Sequence, residues 1–213
     1  MDLSVEAAKA EIAHCFVPQI LLEFIKNKVR QNKNKIEPAS FFINGVCLLV
    51  DISGFTMMSE KFCTGGKGGI DELQLATNGY MGKLVDVIYS YGGDIIKFAG
   101  DALICIFSNE DIQSINKSTI IETSTSSKIT KNKVDVSVIL KALQCAHTIR
   151  SVHNETLSVH VAMSCGEMCF GILGGVENRW ECLISGPCIH QLSGCLDDAP
   201  SMAAAMTTEC LEI

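Results

Sequence analysis

The order of predicted elements along the 213 residues indicates an α+β fold, a ferredoxin-like antiparallel sheet with helices packed on one face. Three observations predict it. Short apolar runs bounded by glycine or an acid predict strands, segments with helical periodicity predict helices between them, and a glycine-containing turn joins two strands into a hairpin. The resulting order is strand, helix, helix, strand, strand, helix, strand.

The composition is that of a globular protein. With 47% hydrophobic and 19% charged residues, disordered, collagen-like and coiled-coil classes are excluded. A net charge of −7 argues against broad binding to nucleic acid or to an anionic membrane. No signal-peptide pattern opens the chain, and no apolar run approaches the ~20 residues that cross a bilayer. We therefore expect a cytoplasmic protein without a membrane span, whose 11 cysteines are mostly reduced core thiols.

The chain is expected to divide at Pro38. Residues 1–38 contain a packing helix, because apolar side chains recur at helical spacing over 11–30 and Pro18 is tolerated near a helix start. A polar linker follows this helix. Residues 39–213 form the main domain, in which 108–133 carry ten Ser or Thr residues and are predicted to be a flexible insertion.

The first half of the main domain supplies a strand, two helices and the hairpin. The continuous apolar run 46–50 predicts a strand buried on both faces. Helices are predicted over 56–62 and 71–90, the second ended by two glycines. The buried stripe of this second helix is predicted to draw on Leu73, Leu75, Leu84, Val85 and Ile88. Strands over 94–98 and 102–107 flank the turn.

The second half is predicted to contain two helices and four strands. Helical periodicity covers 134–152 and 189–196. Strands are predicted over 159–163, 168–173, 182–184 and 207–211.

Two acids stand at the ends of buried strands. Asp51 follows the apolar run, and Asp101 lies in the hairpin turn. Although 50 positions separate them, a central strand beside a hairpin could bring their carboxylates together. Two carboxylates held close repel each other unless a cation lies between them, which suits Mg²⁺ carrying phosphate oxygens. On spacing alone, two unrelated turn aspartates remain an equal alternative.

The residues after the first acid have the composition of an anion-binding loop. They are Ile52, Ser53, Gly54, Phe55 and Thr56. The glycine lets the backbone bend, so that amide groups at the start of a helix can face a phosphate. Ser53 and Thr56 could instead be simple helix N-caps.

Lys97 is a charged residue in an otherwise apolar strand. Its ammonium needs a carboxylate, a ligand or solvent, and the alternative is a packed stem whose head reaches water. The glycine-rich segment 64–69 lacks the order of a P-loop and follows a helix, so it is not interpreted as one. The histidines form no ligand or triad spacing and are interpreted as structural: His14, His147, His153, His160 and His190.

Two blocks carry a resemblance to a known family. Residues 48–56 (LLVDISGFT) and 92–103 (GGDIIKFAGDAL) resemble the class III nucleotidyl cyclase catalytic domain, most of all the first catalytic domain of soluble, bicarbonate-responsive adenylyl cyclases. The resemblance implies conversion of ATP to cyclic AMP and pyrophosphate with two Mg²⁺ or Mn²⁺ ions. It implies metal binding by Asp51, Ile52 and Asp101, and triphosphate binding by the loop 52–56. Lys97 matches a lysine that helps hold the activating anion.

The segment 186–194 departs from the family pattern. His190 stands where the family has asparagine, and neither Ser193 nor Gly194 can replace the arginine expected about four positions further on. The resemblance therefore implies a metal-donating half that needs a second cyclase catalytic domain, from which most of the base-reading residues also come. The alternative is a catalytically weak or inactive domain that binds a nucleotide or a partner.

Overall fold

The computed structural model describes residues 17–30, 36–64, 66–108 and 134–212. These residues form one sheet flanked by helices. The elements in chain order are α1 (Gln19–Arg30), β1 (Ala39–Ser53), α2 (Phe55–Cys63), α3 (Lys67–Ser90), β2 (Asp94–Ala99), β3 (Ala102–Phe107), α4 (Val136–Ile149), β4 (Ser158–Gly174), β5 (Trp180–Ser185), α5 (Pro187–Asp197) and β6 (Ala204–Met206). Short 3₁₀ turns lie at Val176–Asn178 and Thr208–Cys210.

The sheet is built around β1. Its strand order is β2-β3-β1-β4-β5, each neighbouring pair is antiparallel, and the short β6 adds to β4 in parallel. Strand β1 pairs with β4 along its whole length and with β3 over its second half. The order β4-β1-β3-β2 is that of a ferredoxin-like sheet, so the predicted fold class is confirmed.

Helices cover both faces of this sheet. Helices α2, α3 and α4 pack on the face that carries Leu48, whereas α1 and α5 pack on the face that carries Cys47. Both side chains are fully buried, which agrees with a strand enclosed on two sides. The expected one-sided helical layer therefore describes α2 to α4, and α1 and α5 form a second layer that the element order did not predict.

Helix α1 is held to the domain from its first residues. Both carboxylate oxygens of Asp94 accept hydrogen bonds from backbone N–H groups, from Gln19 at 2.9 Å and from Ile20 at 3.0 Å. Phe24 stacks on Phe41 of β1 with ring centroids 5.5 Å apart. The helix begins directly after Pro18, as a proline at a helix start allows. Residues 11–16 of the predicted helix lie outside the described residues.

One predicted core residue of α3 is wrong. Tyr80, Leu84 and Ile88 form the buried stripe at intervals of four residues. Leu75 is 72% exposed, because five residues from Tyr80 turn it about 140° around the helix axis. The helix also begins at Lys67, inside the segment predicted to be a glycine-rich loop.

Two strand predictions are corrected. The separate strands over 159–163 and 168–173 are one strand, β4, since Gly166 stays in the ladder opposite Gly45. The last strand over 207–211 is wrong. Strand β6 ends at Met206, and a hydrogen bond from Thr207 N–H to the Met163 carbonyl at 2.9 Å precedes a 3₁₀ turn.

Three further expectations concern the insertion, the membrane and the thiols. Of the insertion 108–133, only Ser108 belongs to the described residues. None of the helices in the described part of the chain is long and apolar enough to cross a bilayer. The cysteines within the described ranges are free thiols and mostly buried, with Cys63 exposed.

Candidate active site

The two acids come together at one end of the sheet. Asp51 lies near the end of β1, opposite Ala102 of β3 and His160 of β4. Asp101 directly precedes Ala102 in the turn between β2 and β3, where Gly100 adopts a φ of +69°. Because Asp51 pairs with Ala102, the register of β1 and β3 places Asp101 one residue away from the cross-strand partner of Asp51.

The electrostatics of Asp51 show that the two carboxylates interact. Partial burial raises the pKa of Asp51, repulsion by Asp101 raises it further, and His160 opposes the rise. A cation between the carboxylates would relieve this repulsion. Carboxylate and carbonyl oxygens are donors that Mg²⁺ and Mn²⁺ accept, so the residues fit such an ion. Within the described ranges, no three His, Cys, Asp or Glu side chains converge as a ready metal site.

The loop after Asp51 turns the chain sharply into α2. Gly54 is the N-cap of this helix with a φ of +101°, and a Cβ there would lie 1.9 Å from the Thr156 carbonyl oxygen. The first helical hydrogen bond runs from Met58 N–H to the Gly54 carbonyl at 2.9 Å. The amides of Phe55 and Thr56 thus belong to the first turn, whose N–H groups have no intrahelical acceptor.

The side chains of this loop differ in their exposure. Ile52 is buried, so only its main chain can reach a ligand, whereas Thr56 is exposed and Ser53 is half-buried. The alternative in which Ser53 or Thr56 is the N-cap does not hold, because Gly54 occupies that position without a side-chain cap.

Lys97 has a carboxylate partner. Its Nζ lies 3.2 Å from Oε1 of Glu181 in β5, so the ion pair joins the two outermost strands of the main sheet path. The side chains are 49% and 66% exposed, a setting in which ion pairs contribute little to stability. Of the partners that the sequence left open for Lys97, the structure shows a carboxylate.

The divergent segment 186–194 forms the start of α5. Cys188 and Leu192 are buried against the sheet, and His190 is exposed. A Cβ added at Gly194 would meet no atom within 4 Å. The segment therefore has room for a longer side chain at position 194 and presents none.

The polar side chain in the middle of α5 is engaged inside the protein. Gln191 accepts a hydrogen bond from the buried Ser164 hydroxyl at 2.9 Å and donates one to Glu209 at 2.8 Å. Hydrogen bonds from its own main chain, and then from Thr207 and Gln191, hold the pKa of Glu209 below its usual range. These contacts join α5, β4 and the C-terminal 3₁₀ turn.

His160 is the site residue that sequence reasoning missed. It was interpreted as structural, yet it is the β4 partner of Asp51, and its Nδ1 lies 3.1 Å from the Ala199 carbonyl oxygen. Nothing near position 160 in the sequence indicates this. Only the register between β1 and β4, which pairs residues more than 100 positions apart, reveals it.

Comparison with known proteins gives sequence relatives and structural neighbours. No family model matches the chain. Over 86 residues, the chain is 41% identical to adenylate cyclase type 10 of Oryctolagus cuniculus, a match that covers 39% of this chain and 5% of that protein. The match to the Homo sapiens protein is 38% identical over 86 residues. The chain thus corresponds to a small part of the length of these relatives.

The solved structures agree with the fold. The adenylyl cyclase CyaB from P. aeruginosa matches with a TM-score of 0.56 and 18% identity, over 83% of this chain and 82% of that chain. The guanylyl cyclase Cya2 matches with a TM-score of 0.57 and 22% identity, over 82% and 79%. The fold is that of a class III cyclase catalytic domain, and the resemblance to soluble adenylyl cyclase is confirmed.

Proposed function

From this fold and this resemblance, we propose that the chain is the metal-donating catalytic domain of a soluble adenylyl cyclase. The reaction is conversion of ATP to 3′,5′-cyclic AMP and pyrophosphate, and it requires a complementary cyclase domain. The observation that carries the proposal is the strand register, which places Asp51 opposite Ala102, the residue after Asp101, beside the start of α2. Repelling carboxylates next to helical amides form an arrangement suited to cations and phosphates.

The end of the sheet that carries Asp51 and Asp101, called the acidic end below, would hold two Mg²⁺ or Mn²⁺ ions. The ligands would be the carboxylates of Asp51 and Asp101 and the main-chain carbonyl of Ile52. When bound, the ions supply Lewis-acid stabilisation at the ribose 3′ oxygen and at the triphosphate. The backbone of Asp51 is held by strand pairing within the sheet, whereas Asp101 lies on an exposed turn.

The loop 52–56 would orient the triphosphate. The amides of the first turn of α2 point out of the helix end, and the helix dipole adds partial positive charge there. Gly54 makes this possible because its φ of +101° lets the chain pass against Thr156. The buried Ile52 side chain anchors the start of the loop in the core.

A second domain would supply what α5 lacks. An arginine that stabilises the charge of phosphoryl transfer accounts for about 10³ to 10⁵ in rate in other enzymes. His190 and Gly194 stand where the family pattern has asparagine and arginine. The choice of ATP over GTP rests on the likeness to adenylate cyclase type 10, since the structural neighbours include adenylyl and guanylyl cyclases.

Lys97 is the candidate position for an activating anion. Because its ammonium is already paired with Glu181, a small anion would have to displace that carboxylate. We expect anion activation to be weak for this reason, and to become stronger when Glu181 is replaced by glutamine.

The test is reconstitution. The chain is assayed alone, and mixed with a second cyclase domain that carries the asparagine and arginine, with Mg²⁺ or Mn²⁺ and with ATP or GTP. We expect little product from the chain alone and cyclic AMP from the pair. Asp51→Ala or Asp101→Ala should lower the rate of the pair about 10²- to 10³-fold, because several kcal/mol of charge stabilisation are lost.

The matched control is Glu72→Ala, which removes an exposed acid on α3. Its rate should equal that of the unmodified pair. If the pair forms cyclic AMP equally well after Asp51→Ala, the metal assignment is wrong.

The second candidate function is a binding module that turns nothing over. The observation in its favour is the engagement of Gln191 with Ser164 and Glu209, which gives α5 a packing role. This function predicts nucleotide binding by calorimetry and no cyclic product with any partner. A partner that restores turnover would exclude it.

A further inference from the structure

His160 and Asp51 are direct neighbours on adjacent strands. Cross-strand partners in an antiparallel pair have Cβ atoms about 4.5 to 5.5 Å apart and project from the same face of the sheet. An imidazole therefore stands beside the carboxylate that the proposed function assigns to the metal.

The hydrogen bond of His160 defines which ring nitrogen carries a proton. A carbonyl oxygen only accepts, so Nδ1 must donate to Ala199, at 3.1 Å. In the neutral imidazole, Nε2 then keeps its lone pair. Histidines that bind metals are commonly held in this way, with the other ring nitrogen donating to a backbone carbonyl.

The hydrogen bond from His160 to Ala199 is one of several links between this segment and β4. The segment that follows Ala199 is already tied to β4 by backbone hydrogen bonds, from Met202 N–H to the Val159 carbonyl and from Val161 N–H to the Ala203 carbonyl, both at 3.1 Å. What the bond does determine is the tautomer and orientation of the ring.

We propose that His160 is a metal ligand through Nε2, which joins the carboxylate of Asp51 in binding a divalent ion. This inference rests on the proposed function for the role of Asp51. A nitrogen donor changes the selectivity of the site, because imidazole favours Ni²⁺ and similar transition metals, whereas all-oxygen sites favour Mg²⁺. Asp51 and His160 would supply ligands from two strands, and water or phosphate oxygens would complete the coordination of the ion.

The test is calorimetric titration of the full chain with NiCl₂ and with MgCl₂, without nucleotide or partner. In His160→Asn, the side-chain amide can still donate to Ala199, but the Nε2 donor is lost. We expect Ni²⁺ affinity to fall at least about tenfold, as for other disrupted metal-histidine arrangements, and Mg²⁺ affinity to change less than about twofold. His160→Gln places an amide oxygen near the Nε2 position and should also weaken Ni²⁺ while retaining Mg²⁺.

The control is His190→Asn, which removes an exposed histidine on α5 and should leave both affinities unchanged. Circular dichroism of each variant checks the fold, and the glutamine variant serves if the asparagine variant is unfolded. Unchanged Ni²⁺ affinity in both folded variants overturns the inference. An equal loss of Ni²⁺ affinity in the control His190→Asn would also overturn it.

These results are separable from those that test the proposed function. If Asp51→Ala abolishes cyclic AMP formation but His160→Asn binds Ni²⁺ normally, the proposed function stands and the histidine ligand is wrong. If Ni²⁺ binding depends on His160 while the pair is active without Asp51, the metal site stands and its proposed role in the cyclase reaction fails.

Discussion

The two ends of the proposed site differ in how their polar side chains are used. At the acidic end, burial and then repulsion by Asp101 raise the pKa of Asp51. At the start of α5, Gln191 has two internal hydrogen bonds, and the neighbouring Cys188 is buried in the core. We propose that the first end binds an external ligand, whereas the polar side chain of the second is engaged inside the protein.

This difference is what we expect of a chain that, as proposed, provides only the metal-binding half of a cyclase site. Carboxylates with a perturbed pKa are concentrated at functional sites, which supports the proposed metal site at Asp51 and Asp101. The start of α5, whose polar side chain is already hydrogen-bonded inside the protein, gives no sign of a ligand. The four predictions below test this contrast, beginning with the largest expected effect.

The largest effect should come from restoring the missing groups on α5. His190→Asn combined with Gly194→Arg places both family side chains on a helix with open space at position 194. Mixed with unmodified chain, the variant should raise cyclic AMP formation at least about 10²-fold over unmodified chain alone. Gly79→Arg is the control, since it adds an arginine at another open helical position. A rate that stays at background although ATP binds would refute the assignment of α5.

The second effect concerns the loop at the acidic end. Gly54→Ala should lower the free energy of unfolding by more than about 2 kcal/mol, because the added Cβ meets the Thr156 carbonyl and the backbone has a positive φ. Gly100→Ala measures the cost of the positive φ alone, since Gly100 also has a positive φ but an added Cβ would meet no atom there. It should cost about 1 to 2 kcal/mol in urea unfolding. Equal costs for the two variants would contradict the close approach to Thr156.

The third effect concerns the start of α5, where Gln191 forms its internal hydrogen bonds. Ser164→Ala removes the hydrogen bond to Gln191 and should lower the free energy of unfolding by about 1 kcal/mol, with little effect on metal binding. Ser158→Ala is the control, because its hydroxyl has only a long contact of 3.5 Å to Ser201. Weaker Mg²⁺ binding by Ser164→Ala would show that the two ends are not separate.

The smallest effect is a gain in stability at the acidic end. The folded-state pKa of Asp51 lies above the value of 3.8 for a free carboxyl, so its ionised form destabilises the fold once the pH rises through that pKa. Asp51→Asn should therefore raise the thermal unfolding temperature slightly at pH 7 without divalent ions. The two proteins should converge as the pH falls below 3.8. A variant less stable than the unmodified chain at pH 7 would show that the repulsion is absent.

Local patterns predicted the fold class, and they predicted the strand, turn and helix on which the proposed acidic end lies. The helix after Gly54 and the hairpin around Asp101 depend on neighbouring residues and lie within a few positions of the prediction. The strand before Asp51 was predicted over 46–50 but begins at Ala39, because its first half pairs only with the distant strand β4. What failed depends on contacts between distant segments. Leu75 was assigned to the core because apolar character alone does not define the direction in which a helix packs.

The same reason explains the missed partners in the site. The sequence leaves a carboxylate, a ligand or solvent open for the Lys97 ammonium, and Glu181 reaches it only because the fold brings β2 and β5 within reach of each other. His160 becomes a neighbour of Asp51 only through the register of β1 and β4. A single sequence contains the residue types of such contacts but not the pairing that joins them.

The attachment of α1 matters for any shortened form of the protein. A chain cut before residue 39 would lose Phe24, which shields Phe41, and would remove both N–H donors from the half-buried carboxylate of Asp94. The bared aromatic surface would promote self-association, and the orphaned carboxylate would weaken the adjoining strand. A soluble fragment for assay therefore has to begin no later than Gln19, even though every proposed catalytic residue lies far beyond it.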